Sequence, residues 1–149
     1  MNRAAILKAL DDRYVDLLRP LFEPFACAAG EVVLQQGAPA IYLYIILNGM
    51  VQISFKPYDG GVITVSHVEK DGLFGWSAVV GTEKYTSSAI AITDLESFRI
   101  RGSELRKLCR DHPEEGRVIL EQLADAVSFR LKDAHEQVKT ILANGMKSG

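Results

Sequence analysis

The chain has 149 residues, 48% of them hydrophobic and 24% charged, with a formal net charge of −2 at neutral pH. That length suffices for one domain with a real core and scarcely for two, and a near-neutral balance offers no broad basic surface to nucleic acid. No apolar run approaches the roughly 18 residues of a membrane span, the N-terminus has no secretory h-region, and two isolated cysteines, Cys27 and Cys109, fit a reducing cytoplasm as buried thiols.

Residues 1–24 read as short helices. Ile6, Leu7 and Leu10 recur at helical spacing within Asn2 to Leu10, and Tyr14, Val15, Leu17 and Leu18 do so within Asp11 to Leu18. Pro20 and Pro24 end the pattern.

Residues 25–101 read as a β-barrel. Short apolar runs separated by glycines predict strands at Val32 to Leu34, Ile41 to Leu47, Val51 to Phe55, Val62 to Val68, Thr86 to Ile92 and Leu95 to Ile100. Val51, Ile53 and Phe55 alternate with Gln52 and Ser54, and Ile63 and Val65 with Thr64 and Ser66. This period of two marks strands with one face buried. Asp59-Gly60 between those two runs signals a hairpin. Many short strands at regular spacing imply a sandwich or barrel.

Residues 102–143 read as helical. Ser103 is a candidate N-cap for a helix to about His112. Pro113, followed by Glu114 and Glu115, opens a second helix that nothing interrupts before about Ala143. Leu120, Ala124, Val127, Leu131, Ala134, Val138 and Ile141 fall at alternating steps of four and three along it, a heptad seam that predicts a homodimer. A second strip, Ile119, Leu123 and Ala126, lies beside the seam and would face the barrel. The alternative is a helix packed only on its own barrel.

Four segments in this order carry a family resemblance: Ala29 to Val33, Gln36-Gly37-Ala38, Tyr42 to Val51, and Lys70-Asp71-Gly72-Leu73-Phe74-Gly75. Together they resemble the cyclic-nucleotide-binding domain family, specifically the sensor half of the bacterial catabolite activator and Fnr-type regulators. The resemblance runs from about Leu21 to the end of the long helix. It implies a mainly β fold, a double-stranded β-helix (jelly-roll) barrel with short N-terminal helices and a long C-terminal dimerisation helix. It also implies a non-enzymatic regulatory module with cAMP or cGMP as its ligand.

The family's phosphate-binding cassette falls on residues 74–89. The resemblance assigns ligand contacts there to Gly75, Trp76, Ser77, Ala78, Lys84, Tyr85, Thr86 and Ser87. A glycine opening one helical turn would aim free backbone amides at an anion, and small residues would let the ligand approach. This chain departs from the pattern twice. Trp76, a donor only, stands where the family has a glutamate accepting from the ribose hydroxyl. The arginine that pairs with the cyclic phosphate is replaced by Tyr85, or by Lys84 if the loop shifts by one. Lysine supplies a point charge without the planar fork. Losing one such contact removes about 1.5–3 kcal/mol, and losing both moves a micromolar site toward millimolar. Weak cyclic-nucleotide binding, or a different small anionic ligand, is therefore the expectation. A structural homodimer with a lapsed pocket is the alternative. The long helix places His135 where related regulators contact the purine, although a solvated side chain is the plainer reading.

The chain ends just beyond the long helix, where a helix-turn-helix module would start in a transcription factor. Gly145 to Gly149 cannot hold one, so no nucleic-acid partner is expected. A stand-alone sensor is favoured over a truncated regulator. Enzyme readings find no footing. His67, His112 and His135 form no metal-ligand cluster, so no metal is expected. No nucleophile elbow, P-loop or Cys-His arrangement occurs. Two cysteines are too few for an iron–sulfur sensor, and haem ligation by a lone histidine or Cys27 has no motif behind it.

Overall fold

The apolar run read at Ile41 to Leu47 forms strand β3, Tyr42–Asn48, and it is the pivot of the molecule. Leu43, Tyr44, Ile45 and Ile46 are all buried, so the strand is covered on both faces, and this explains an unbroken apolar run in place of alternation. In the computed structural model residues 12–57, 60–81 and 83–125 are described.

The strands pair into two four-stranded antiparallel sheets. One is ordered β1 (Glu23–Cys27), β8 (Leu95–Arg101), β3 and β6 (Leu73–Phe74). The other is ordered β2 (Val32–Leu34), β7 (Ser88–Ala91), β4 (Val51–Phe55) and β5 (Ile63–Val68). Between them lies an inner core that includes Tyr44, Ile46, Val51, Ala89 and Leu95. Outside the first sheet, Leu43, Ile45 and Ile100 form a second core with four helices: α1 (Asp12–Leu18), α2 (Ser77–Val80), α3 (Gly102–Asp111) and α4 (Pro113–Asp125). Each fully buried leucine or isoleucine in these layers contributes about 1.5–3 kcal/mol of transfer free energy. The arrangement is the jelly-roll barrel flanked by helices that the sequence implies.

Several details differ from the sequence reading. Strand β1 was not expected, because Pro24 looked like a stop. It sits at a sheet edge, paired only with β8, where a missing N–H is tolerated. The alternation expected along Val51 to Phe55 breaks after Ile53. The β4–β5 register slips there, pairing Ile53 with Ser66 but Ser54 with Thr64. A bulge of this kind flips every later side chain, so Ser54 is buried while Phe55 and Ile63 are exposed. The hairpin joining β4 and β5 is present, and Asp59 of its expected turn lies outside the described residues. Ser103 is not a cap: α3 begins at Gly102, with Arg101 at the N-cap and no side-chain cap bond. Pro113 does open α4.

Candidate ligand-binding site

The cassette begins where β6 leaves the barrel. Phe74 stacks on Tyr44, with ring centroids 4.9 Å apart and planes within 4°. Gly75 then turns the chain with φ of +85°, its Cα so close to the Tyr42 carbonyl that a Cβ would lie 2.7 Å from that oxygen. Only glycine meets both demands. The single turn α2 follows, and Gly81 ends it in the left-handed region, its N–H bonding the Ser77 carbonyl.

The later amides of this turn are bonded within it, and those of Trp76 and Ser77 at its start have no partner among the described residues. The N–H of Ala78 bonds the Gly75 carbonyl, and those of Val79 and Val80 bond the Trp76 carbonyl. The free amides expected at this turn are therefore confined to its first two residues, Trp76 and Ser77.

Trp76 is buried, 3% exposed, among Leu18, Leu43, Leu105 and Leu123 of the helix-side core. Its Nε1 has no hydrogen-bond partner among the described residues. Its indole thus anchors the cassette to the helices, and it also lines the cavity described below.

Beyond α2, residues 83–85 lie antiparallel to residues 37–40. The N–H of Gly37 bonds the Tyr85 carbonyl at 2.9 Å, the N–H of Tyr85 bonds the Ala38 carbonyl at 2.9 Å, and the N–H of Ala40 bonds the Glu83 carbonyl at 3.1 Å. Side chains alternate along such a ladder. Tyr85 therefore points into the barrel core, and Lys84 is exposed. The Tyr85 hydroxyl accepts from the Tyr42 N–H at 2.9 Å and donates to the Tyr42 carbonyl at 2.7 Å. Burial pushes its pKa up to about 12, which keeps it a neutral donor.

These elements border a partly open cavity of about 120 Å³ between the α2 turn and the start of β7. Gly75, Trp76, Ser77, Tyr85, Thr86 and Ser87 line it, so six of the eight cassette residues singled out from sequence meet there. Ala78 and Lys84 do not. Ala78 is buried against the helices, and Lys84 lies on the surface. Leu34, Ile53, Val68 and Phe74 add apolar walls.

Other positions stand apart from the cavity. Arg99, a cation of the inner face, lies 4.0 Å from the Tyr42 ring centroid and pairs with Glu23 at 3.5 Å. Of the predicted dimer seam, Leu120 and Ala124 are fully buried within their own chain's core. Val127, Leu131, Ala134, Val138 and Ile141 lie outside the described residues, as do His135 and Thr82. Two residues without any distinguishing motif complete the site's surroundings. Arg106 of α3 donates through Nη1 to the Ala78 carbonyl, and Gly102 packs so tightly on that carbonyl that a Cβ would overlap it.

Comparison with known proteins agrees with this architecture. The "CRP-like cAMP-activated global transcriptional regulator" of Mycobacterium tuberculosis is 26% identical over 142 residues, which cover 95% of this chain and 62% of the regulator. The chain thus spans a little under two thirds of that relative's length. A cyclic nucleotide-binding domain from Methylobacillus flagellatus superposes with a TM-score of 0.76 at 18% identity, covering 92% of this chain and 80% of that one. The regulatory subunit of a cAMP-independent protein kinase A from Trypanosoma brucei superposes with a TM-score of 0.69 at 16% identity, covering 91% of this chain and 48% of that one. The profile of the cyclic nucleotide-binding domain matches residues 25–112, and this chain belongs to that family.

Proposed function

We propose that this chain is a non-enzymatic, ligand-sensing regulatory module, in which a molecule held beneath the cassette biases α2 and, through it, α3. The observation that carries the reading is the Ala78 carbonyl. It belongs to the turn that walls the cavity, and from α3 it is abutted by Gly102 and hydrogen-bonded by Arg106. A displacement of α2 on ligand entry therefore acts directly on the first turns of α3. The ligand shifts the equilibrium by the difference in its affinity for the two positions of that contact.

The relatives' printed descriptions support a regulatory role. One is a cAMP-activated transcriptional regulator and another a kinase regulatory subunit. They also show that the fold occurs without cAMP dependence. The trypanosomal subunit is described as cAMP-independent, and the form of it solved with cAMP carries three substitutions, one of which introduces an arginine.

Hydrogen exchange tests the coupling without a known ligand. Ser87→Phe places a ring at the half-buried cavity wall. It should alter amide protection across residues 102–111 while leaving β1 unchanged. Unaltered protection in α3 would contradict the sensing role and favour a pocket without function.

A further inference from the structure

We infer that the cassette cavity takes a small, uncharged molecule with an apolar body and one hydrogen-bonding group, rather than an anion. This inference rests on the sensing reading above and specifies its ligand.

Size is the first constraint. A partly open volume of about 120 Å³ is far below the roughly 300–1,000 Å³ of pockets that bury drug-sized ligands. It is close to the cavity of about 150 Å³ that takes up benzene. A six-membered ring fits this space.

Charge is the second. Among the described residues that line the cavity, none is ionisable to a cation. Lys84 is held outward by the ladder to residues 37–40. Turning it inward requires slipping residues 83–85 by one position, which would break all three backbone bonds of that ladder. Arg99 is engaged by Glu23 and the Tyr42 ring and does not line the space. Three amides of the α2 turn are consumed within it. A carboxylate or phosphate would find the Trp76 and Ser77 amides but no counter-charge among the described residues, and burying it there would cost several kcal/mol.

Polarity is the third. Leu34, Ile53, Val68 and Phe74 supply apolar walls, while Ser77, Thr86 and Ser87 line the more exposed side with hydroxyls. The Ser88 hydroxyl is already taken by the N–H of Gln36 at 2.9 Å. A hydroxyl can donate or accept, so this side suits an alcohol, a phenol or a carbonyl, with the ring directed inward.

Benzyl alcohol and benzoate are nearly equal in size and differ in charge, and they make the test. The isotope-labelled full chain is titrated with each while the backbone amide resonances of residues 75–88 are followed. Saturable shifts with benzyl alcohol, and binding of benzoate at least about tenfold weaker, are expected; Ser87→Phe should abolish the shifts. Absence of saturable shifts with benzyl alcohol, or tighter binding of benzoate, would overturn the assignment. The two readings fail separately. Benzyl alcohol that binds without changing exchange in α3 refutes the sensing role alone, and a Ser87→Phe variant that perturbs α3 while benzyl alcohol fails to bind refutes the ligand class alone.

Discussion

The hydroxyl of Tyr85 is clamped to both polar groups of the Tyr42 backbone, accepting from its N–H at 2.9 Å and donating to its carbonyl at 2.7 Å. One side chain thereby ties the end of the cassette to the start of β3 across the barrel. Tyr85→Phe removes both bonds and leaves two backbone groups beneath a buried ring. It should destabilise the fold by about 1.5–3 kcal/mol, read as a lower urea midpoint at unchanged m-value. A loss under about 0.5 kcal/mol would show that the clamp contributes little.

The same phenol gives a pH signature. Its folded pKa is raised from 10.0 to about 12 by burial, so between those values the folded state keeps a proton that the unfolded state has released. Its contribution is complete below pH 10 and is lost as pH rises toward about 12. The difference in stability between the native protein and Tyr85→Phe should therefore shrink across that interval. A difference constant with pH would contradict the assignment.

Two glycines of the cassette region separate steric from conformational cost. Gly81 has φ of +81° but nothing within 4 Å of an added Cβ. Gly81→Ala should cost about 1–2 kcal/mol of left-handed strain. At Gly102 the backbone is ordinary but an added Cβ meets the Ala78 carbonyl. Gly102→Ala should cost about 3 kcal/mol or more and loosen α3 from α2. Equal costs in urea unfolding would mean that the α2–α3 contact yields easily, and the coupling route would lose its basis.

The heptad spacing continues past the helix that is described. Leu120 and Ala124 are consumed by the chain's own core, so a contact between two copies is proposed to start at Val127. Leu131→Lys should convert a dimer to a monomer in sedimentation equilibrium, because a charge at a seam position is left desolvated and unpaired. A dimer that persists in Leu131→Lys would remove the seam from the interface.

Much of this was legible in the sequence. Strand periodicity, glycine spacing and the apolar positions at Ile119, Leu120, Leu123 and Ala124 gave the barrel and its helical cover, because burial on one or both faces leaves its mark on residue order. What stayed hidden depends on register or on contacts distant in the chain. Pro24 reads as a stop until its strand is seen to lie at an edge. The slip between Ile53 and Ser54 inverts the face of Phe55, and composition cannot reveal a bulge. Lys84 and Tyr85 are neighbours of which only one can face inward. That choice is made by three backbone bonds to residues distant in the chain, Gly37, Ala38 and Ala40. Gly102 and Arg106 acquire meaning only when the Ala78 carbonyl is placed between them.

We propose that this cyclic nucleotide-binding fold holds a site for a small neutral molecule in place of a nucleotide. Calorimetric titration of the protein with cAMP and cGMP at near-physiological salt tests it most directly, with Lys84→Ala run in parallel. We predict no saturable heat below millimolar nucleotide and no effect of Lys84→Ala. Saturation at micromolar nucleotide, weakened by Lys84→Ala, would contradict the account and show that the cassette reopens around a phosphate.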